Sequence, residues 1–482
     1  MKKGLIKATF QLPDLSGFGP VYLVGGSLRD RILNLPSSDY DFALAGDVRE
    51  FARKVAEKLG AHLIQIGKKD KAVYRVVTGT STLDFSSIEG KSIEDDLNRR
   101  DFTINALGYE LRSEKLVDPV GGLDDIRSKR IRLISKDAIL ADPLRMLRAF
   151  RFAAVLDFEI TSETLMSIKE QSCLITRAAG ERIHDEMLKI MEVDSSFPYV
   201  KQMAEAGILS GIIPELEACR GCVQNREHRF DVFEHTMQTY KEIETILSNP
   251  GKVWPESAVA VSDYLRKENH RVLLKWVALL HDLGKPKTRS IDETGKIRFL
   301  RHEDTGADIA QDICARLRMS ARSREYITFL VKKHLYPLFL FVSHQKGNLT
   351  SKAIVRLIAK YQDDIIGLLI HGLADQRAKA QETPEGLEAF SGFLKQILMV
   401  YFCDLKPRME APRLVTGQDL IDHFGLVPSK VFGKILNKVE EARLNGDIRT
   451  RKEAFKLVER LLEGDAGIEP ATPSSGGLCS IR

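Results

Sequence analysis

The chain has 482 residues, enough for about two to four domains, because single hydrophobic cores stop growing near ~250–300 residues. It is 43% hydrophobic and 29% charged, which is typical of a globular protein and excludes a fibrous or wholly disordered one. No run of about 20 apolar residues exists, so we expect no membrane span. The amino terminus lacks the apolar core of a signal peptide, and we expect a cytoplasmic protein.

The net charge of +5 permits a nucleic-acid partner without demanding one, since a basic groove can be hidden within a near-neutral total. The six cysteines form no dense framework. Cys219 and Cys222 make one Cys-x-x-Cys, which is consistent with a zinc knuckle or with free thiols in a loop.

The chain begins with an α/β head, predicted over residues 1–137. Its short apolar runs, Val21–Val24, Ala72–Val77 and Thr82–Phe85, predict strands, and Glu50–Leu59 predicts a helix. The fold class is therefore an α/β head with a mixed sheet, followed by helices. We predict a helical neck at 138–218, a histidine-rich helical domain at 219–405, a helical tail at 406–463 and a disordered end at 464–482.

The neck shows an apolar helical face. Leu140, Leu144, Leu147 and Ala154 recur at helical spacing, with basic residues between them. We therefore expect these four side chains to be buried together.

A Gly-Gly turn joins the first strand to a helix. Gly25 and Gly26 allow close approach of a ligand to the backbone and direct amide N–H groups at an anion. Arg29, one turn further, can add a charge-assisted fork to a phosphate. By itself the turn is equally typical of an ordinary strand-to-helix connection.

Two aspartates follow on a predicted strand. Asp39 and Asp41 are two residues apart and therefore share one face, about 6.5–7 Å from each other. Paired carboxylates bind Mg²⁺ well and leave positions for phosphate, as two-metal phosphoryl transfer requires. Asp84, on a neighbouring strand, is either a third carboxylate or a solvated strand end.

A third segment reads Arg99-Arg-Asp-Phe-Thr-Ile-Asn-Ala-Leu107. Its apolar residues can pack while Arg100, Asp101 and Asn105 point into a cleft, where a carboxylate suits a ribose hydroxyl and an arginine suits a triphosphate. Taken alone, the segment is also typical of a surface charge cluster at a helix start.

A fourth segment opens with Asp142-Pro143. Pro143 suits the first turn of a helix and Asp142 its N-cap. Asp142 and Arg145 are three residues apart, so they are neighbours on one helical face. The pair is consistent with a capped, solvated helix, and it also offers an acceptor and donors to a base edge.

These segments together resemble the class II tRNA nucleotidyltransferases and the related bacterial poly(A) polymerases. The order is specific: Leu-Val-Gly-Gly-x-x-Arg-Asp, Asp-x-Asp, Arg-Arg-Asp-Phe-Thr-x-Asn-Ala, Asp-Pro-x-Gly-Gly and Asp-Pro-Leu-Arg-x-Leu-Arg-Ala. Glu181-Arg-Ile183 matches the family's helix-bracing motif. The resemblance covers about residues 20–215.

The resemblance implies a role for each matching residue. Asp39 and Asp41 bind the catalytic Mg²⁺ ions, and Asp101 contacts the ribose. The base is read by Asp142 and Arg145, with support from Arg148. The nucleotide-binding residues implied are Gly25, Gly26, Arg29, Arg100, Asp101, Asn105, Asp142, Arg145 and Arg148. The implied partners are the tRNA 3′ end, CTP and ATP.

Two departures from the family pattern matter. Ala141 stands where the base-reading motif usually has glutamate. Only Ser86–Ser92 remain where members that build the whole CCA end have a longer flexible loop, and the resemblance links a missing loop to enzymes that add only the two cytidines. Complete CCA addition and CC-only addition both stay open, with poly(A) addition as a further alternative.

The histidine-rich domain holds an ordered set of metal-binding residue types. Eight of the eleven histidines lie between His228 and His371. The set resembles the HD phosphohydrolase superfamily, with His302 and His334 at the extra positions of members that bind two metals. The residues implied are His235, His281, Asp282, His302, His334 and Asp375.

Imidazole and carboxylate together suit Mn, Fe, Ni, Zn or Mg, so the sequence does not select the metal. The site is either catalytic, hydrolysing phosphomonoesters or cyclic phosphodiesters, or a brace between helices. From a different class, the protein could be chiefly such a phosphohydrolase with the head as an RNA-docking module. The intact Asp39 and Asp41 pair argues against that alternative.

Overall fold

The computed structural model describes residues 18–67, 72–224, 230–379 and 383–464. The chain divides into two compact units, which are described separately here. The first unit comprises Met1–Cys219 with Asp312–Ser320, and the second comprises Arg220–Gln311 with Ala321–Arg482. Apart from Gly464, the predicted disordered end lies outside the described residues.

The first unit contains nine strands and ten α-helices among its described residues. The strands are β1 (Val21–Val24), β2 (Asp39–Leu44), β3 (His62–Ile66), β4 (Val73–Val77), β5 (Thr82–Ser87), β6 (Gly108–Glu110), β7 (Leu116–Val117), β8 (Arg130–Ile131) and β9 (Glu159–Ile160). The helices are α1 (Gly25–Ile32), α2 (Val48–Leu59), α3 (Ile93–Asn98), α4 (Gly122–Arg127), α5 (Asp137–Ala141), α6 (Arg145–Leu156), α7 (Ser162–Gln171), α8 (Gly180–Met191), α9 (Phe197–Glu205) and α10 (Ile208–Ile212).

The head is built on a seven-stranded sheet in the order β3-β4-β5-β2-β1-β6-β7. β2 and β5 pair in parallel, and the other neighbours pair antiparallel, so the sheet is mixed as predicted. Phe42 and Phe85 stack on the buried face, with ring centroids 5.1 Å apart, and α2 adds Phe51 to the same core. The other face of β2 carries the exposed Asp39 and Asp41.

The neck differs from the prediction at one position. Leu144 and Leu147 are buried, but the Leu140 side chain is 60% exposed. The physical reason is a break in the helix at Asp142-Pro143, since the residue before a proline avoids the helical region. Asp142 is extended (φ −148°, ψ 101°), so α5 ends before it and α6 begins only at Arg145.

Among its described residues, the second unit is helical apart from one hairpin, formed by β10 (Arg289–Ile291) and β11 (Ile297–Phe299). Its helices are α11 (Val232–Ser248), α12 (Pro250–Val253), α13 (Ala258–Arg266), α14 (His270–Leu280), α15 (Lys285–Thr288), α16 (His302–Arg316), α17 (Ala321–Lys333), α18 (Tyr336–Gln345), α19 (Ser351–Tyr361), α20 (Asp364–Arg377), α21 (Pro384–Met399), α22 (Lys406–Glu410), α23 (Gly417–Asp422), α24 (Lys430–Asn445) and α25 (Arg451–Gly464). The last residues of α16 belong to the first unit.

The C-terminal helices have a separate small core, in which Leu420, Ile435 and Val458 are buried. Cys219 and Cys222 are both buried, and neither forms a disulfide within the described residues. Within the described ranges, every helix is too short or too polar to cross a bilayer.

Candidate functional site

The two motif aspartates lie side by side on the exposed face of β2. Asp39 and Asp41 are exposed, and Tyr40 and Phe42, which alternate with them, are buried. Asp41 is paired in register with Val24, the last residue before the Gly-Gly turn. The sheet therefore brings the carboxylates to the point where β1 ends and α1 begins.

Asp84 lies beside this pair on β5, in parallel register with Asp41. Its carboxylate accepts two hydrogen bonds from Arg75 on β4, at 2.8 and 2.7 Å. Asp84 is therefore neither a solvated strand end nor an unneutralised third carboxylate. Arg75 offsets part of the negative charge that gathers on this face.

Electrostatics around Asp41 favour the arrival of a cation. The surrounding protein encloses much of the Asp41 carboxylate, and the resulting desolvation raises the pKa of Asp41. The nearby Arg100 acts in the opposite direction, while Asp84 and Asp39 add to the rise. A divalent cation at this position would relieve the repulsion among the carboxylates.

Gly25 is required by the geometry of the turn. Its φ of +73° is in the left-handed region, and a Cβ there would lie 2.8 Å from Arg100 Nη1 and 3.3 Å from Asp41 Oδ2. A guanidinium and a carboxylate thus face each other across the glycine. In this arrangement the guanidinium is suited to a phosphate, and the carboxylate is suited to a metal ion bound to that phosphate.

A buried network holds the third motif. Arg148 donates from Nε and Nη2 to Asp101 Oδ2, at 2.8 and 2.6 Å. Asn105 Nδ2 and the backbone N–H of Phe102 donate to the other oxygen of Asp101. Burial alone would raise the pKa of Asp101, but Arg148 and these hydrogen bonds outweigh it and hold the pKa below its ordinary value. The carboxylate is fixed and charged.

Arg29 joins the same network from α1. It donates to Asn105 Oδ1 at 2.6 Å and to Asp30 Oδ1 at 2.8 and 2.6 Å. These contacts orient Arg29, so it reaches the site as a positioned cation. A cavity of about 740 Å³ opens here. Predicted residues that line it are Gly25, Gly26, Arg29, Asp41, Arg100, Asp101, Asn105, Arg145 and Arg148.

Sequence reasoning missed the aromatic centre of this cavity. Phe152 has the guanidinium carbons of Arg29, Arg148 and Arg151 at 5.0, 5.4 and 4.2 Å from its ring centroid. Cation–π attraction keeps the three cations near one another. The sequence Arg-Ala-Phe-Arg-Phe in α6 places basic and aromatic residues close together, and this pattern could have indicated the cluster.

Asp142 and Arg145, the two candidate base-reading residues, each bond to other partners within the described residues. Asp142 Oδ2 lies 2.8 Å from Nη2 of Arg182, on α8, and Oδ1 accepts from the backbone N–H of Leu144. Arg145 instead directs its guanidinium towards the carbonyls of Ala138 and Arg99, each at 3.4 Å. Asp142 is extended and its Oδ1 accepts the backbone N–H two residues on, as an N-cap side chain does, although the regular helix α6 begins only at Arg145.

The connection from β5 to α3 is short and tied to that helix. The backbone N–H of Glu89 donates to Asp96 Oδ1 at 3.0 Å, and that of Lys91 donates to Asp95 Oδ2 at 2.8 Å. A compact turn therefore stands where the family resemblance places a long flexible loop.

The second unit gathers the histidines and aspartates predicted there. His235, His281 and Asp282 form one buried group of possible ligands, and Asp282, His302 and His334 form another. Asp375 joins the first group, because its Oδ1 lies 2.8 Å from His235 Nε2. All six predicted residues thus converge, with Asp282 shared between the two groups.

The orientation of the rings fits a metal. Nδ1 of His302 lies 2.8 Å from the carbonyl oxygen of Phe299, and Nδ1 of His334 lies 2.7 Å from that of Val331. A carbonyl only accepts, so in both rings Nδ1 carries the proton and Nε2 is a lone-pair donor. The two Nε2 atoms are only 3.3 Å apart. Burial lowers the pKa of His334 to about 3, so a shared cation satisfies this contact better than a proton.

Gly284 lets the two groups meet. A Cβ at this position would lie 2.1 Å from the carbonyl oxygen of His302 and 2.6 Å from the backbone nitrogen of Gly306. The turn after His281 and Asp282 can therefore pack directly on the start of α16. Lys285 Nζ, 2.6 Å from Asp282 Oδ2, partly neutralises the shared carboxylate.

The fold and the site define a class: an α/β head with a carboxylate pair beside a Gly-Gly turn and clustered arginines, followed by helices with a buried His/Asp cluster. Comparison with protein families agrees. Residues 21–132 match the "Poly A polymerase head domain", 157–220 the "Probable RNA and SrmB- binding site of polymerase A" and 232–369 the "HD domain".

Relatives extend the match. An A-adding tRNA nucleotidyltransferase of Deinococcus radiodurans is 29% identical over 94% of this chain and 99% of its own. A CC-adding tRNA nucleotidyltransferase of Thermus thermophilus is 28% identical over 89% of this chain and 91% of the relative. A multifunctional CCA protein of Stenotrophomonas maltophilia is 30% identical over 65% of this chain and 75% of the relative. A solved CCA-adding enzyme in complex with ATP shares the fold, with a TM-score of 0.65, 19% identity and coverage of 94% and 92%.

The chain therefore belongs to the tRNA nucleotidyltransferase and poly(A) polymerase family. It is an enzyme, a nucleotidyltransferase with an HD domain.

Proposed function

We propose that the chain transfers CMP and AMP from CTP and ATP to the 3′ end of tRNA, with Asp39 and Asp41 as the metal-binding carboxylates. The observation that carries the proposal is the shared face of these aspartates beside the Gly25 turn and Arg100. The names of the relatives support the substrate, since they describe A-adding, CC-adding and multifunctional CCA enzymes.

The reaction is a displacement at the α-phosphorus. The terminal 3′ oxygen of the RNA forms a bond to this phosphorus, the bond to the bridging oxygen of the β-phosphate breaks, and pyrophosphate leaves. The proton of the 3′ hydroxyl passes to a carboxylate or to water. Bound Mg²⁺ supplies Lewis-acid stabilisation of the charges. The amide groups of Gly25 and Gly26, with Arg29 and Arg100, hold the triphosphate.

Asp101 and the base-reading residues supply selectivity. Asp101, fixed by Arg148, faces the cavity and accepts a hydrogen bond from the ribose. Asp142 accepts from an exocyclic amino group and Arg145 donates to the adjacent ring nitrogen. Cytosine and adenine both offer that pair of groups, whereas uracil and guanine present the reverse polarity. Arg182 positions the Asp142 carboxylate for this task.

CC-only addition is a second candidate, favoured by one observation. The turn between β5 and α3 is short and hydrogen-bonded to Asp95 and Asp96, so it lacks the mobile loop that the resemblance links to the change from CTP to ATP. The relatives do not favour this candidate over the first, because their names include A-adding and multifunctional CCA enzymes as well as CC-adding ones.

One experiment tests the proposal and separates the candidates. Transcripts of tRNA that end before the CCA, after the first C and after both are incubated with each α-labelled NTP in turn. We expect CMP on the first two and AMP on the third. CMP without AMP would support the CC-only candidate. Absence of incorporation on every transcript would refute the proposal.

We further propose that the HD cluster binds a divalent metal through His235, His281, Asp282, Asp375, His302 and His334. The converging lone pairs of His302 and His334 support this assignment. When bound, the metal would activate water for hydrolysis of phosphomonoesters or cyclic phosphodiesters. Replacing His281 and Asp282 with alanine is expected to remove metal-dependent hydrolysis of 2′,3′-cyclic AMP and to spare nucleotide addition. Hydrolysis that persists would refute a catalytic role.

A further inference from the structure

A histidine outside the predicted set lies against the HD cluster. His371 is completely buried in α20, one helical turn before Asp375, so the two side chains leave the helix on the same face. Its ring centroid is 4.9 Å from that of His281 and 6.0 Å from that of His334. His371 therefore contacts both ligand groups of the cluster.

The polar atoms of His371 are unsatisfied. Neither ring nitrogen has a hydrogen-bond partner among the described residues, although both are shielded from solvent. The contrast with His270 is informative, because that buried histidine places Nδ1 2.8 Å from the carbonyl oxygen of Tyr264 and stacks between two tyrosines. Burying two unpaired nitrogens costs stability that a leucine or phenylalanine at the same position would not cost.

A ligand at the cluster would compensate for this cost. The His371 ring packs against two rings of a centre that already gathers His281, His334 and the shared carboxylate of Asp282. A neutral imidazole can supply a lone pair to a cation or a hydrogen bond to a group the cation holds.

We infer that His371 is a further residue of the HD metal centre, and that one of its ring nitrogens strengthens the binding of the divalent cation. The inference rests on the proposed metal centre. It predicts opposite effects in two states: removal of the imidazole weakens cation binding while it relieves the metal-free protein of two buried unsatisfied nitrogens.

The test uses the full chain with Asp39→Asn and Asp41→Asn in every protein, so that the head does not compete for metal. Co²⁺ is titrated by visible absorption and by calorimetry, and Tm is measured with and without it. The variants are His371→Phe, which keeps a planar ring, and His371→Gln, which keeps polar atoms. His344→Phe is the matched control, because His344 is exposed and stacks on Phe393 in the same unit.

We expect His371→Phe to lower Co²⁺ affinity about 10–100-fold, the usual loss for residues that support metal ligands. Its metal-free Tm should not fall, and the rise in Tm on adding Co²⁺ should shrink. His371→Gln should keep part of the affinity, and His344→Phe all of it.

Two results would overturn the inference. One is unchanged affinity and absorption in His371→Phe. The other is a lower metal-free Tm with unchanged affinity, which would assign His371 to packing alone. In either case the metal centre itself would stand, because the parent protein binds Co²⁺. Absence of Co²⁺ binding by the parent would refute the proposed centre together with the inference.

Discussion

Replacing Arg182 with methionine tests whether this residue positions the base-reading carboxylate. Arg182 donates to Asp142 from Nη2 to Oδ2 at 2.8 Å and from Nη1 to Oδ1 at 3.5 Å, and the Leu144 N–H donates to Oδ1 at 3.1 Å. Methionine keeps an unbranched, flexible side chain of shorter reach and removes the charge and the donors. The Asp142 carboxylate can then rotate, so its acceptor oxygen and the Arg145 guanidinium no longer face the base edge together.

The magnitude follows from the exposure of the pair. A hydrogen bond to a charged group contributes ~1.5–3 kcal/mol, or ~10–150-fold in a ratio of rate constants. The side chains of Arg182 and Asp142 are 54% and 30% exposed, so the lower end applies. We expect about a 10-fold fall in the preference for CTP over UTP, measured as the ratio of kcat/KM. Stability should change little, since exposed ion pairs contribute ~0–1 kcal/mol.

The assay is single-nucleotide incorporation into a tRNA transcript that lacks its 3′ end, with each NTP in turn. Arg177→Met is the matched control, because Arg177 is exposed and forms no ion pair within the described part of the chain. An unchanged CTP/UTP ratio in Arg182→Met would refute the positioning role. So would an equal loss with all four nucleotides, which would indicate a general distortion.

Three further predictions concern single residues. Gly25→Ala forces a Cβ to within 2.8 Å of Arg100 at a φ of +73°, and kcat/KM for CTP should fall at least ~100-fold with the protein still folded by circular dichroism. Gly284→Ala places a Cβ 2.1 Å from the His302 carbonyl oxygen, so the free energy of unfolding should drop by ~1–3 kcal/mol or more in urea titrations. The pKa of Asp101 is below its ordinary value, so the charged carboxylate stabilises the fold above the unfolded pKa, and this stability is lost as pH falls through the folded pKa. Asp101→Asn should therefore be less stable than wild type at pH 7, and the gap should narrow towards pH 3; a gap that widens in acid would contradict the assignment.

Local patterns predict the centre of the head well, for physical reasons. The two-residue period of a strand alone puts Asp39 and Asp41 on one face, and the left-handed backbone at Gly25 demands glycine wherever the turn occurs. The HD set is also accessible from the sequence, because its members occur in the order that the resemblance to the HD superfamily implies, and the structure brings them together.

Contacts between distant segments are not predictable in this way. The ion-pair partner of Asp142 is 40 residues away on α8, and helical spacing cannot reveal it because Asp142 and Pro143 interrupt the helix. The same break exposes Leu140. His371 is missed for a different reason: a lone histidine within an apolar helix is normally a satisfied core residue, and only the structure shows that its nitrogens are unpaired.

The most direct test of the central claim is Mg²⁺-dependent incorporation of labelled CMP into a tRNA transcript without its 3′ end, compared between wild type and Asp41→Asn. The substitution keeps the shape of the exposed side chain on β2 and removes the charge that would bind metal. We predict efficient incorporation by wild type and none by the variant, with identical circular dichroism and Tm within experimental error. Incorporation by Asp41→Asn at a rate comparable to wild type would contradict the assignment of this carboxylate pair as the transfer site.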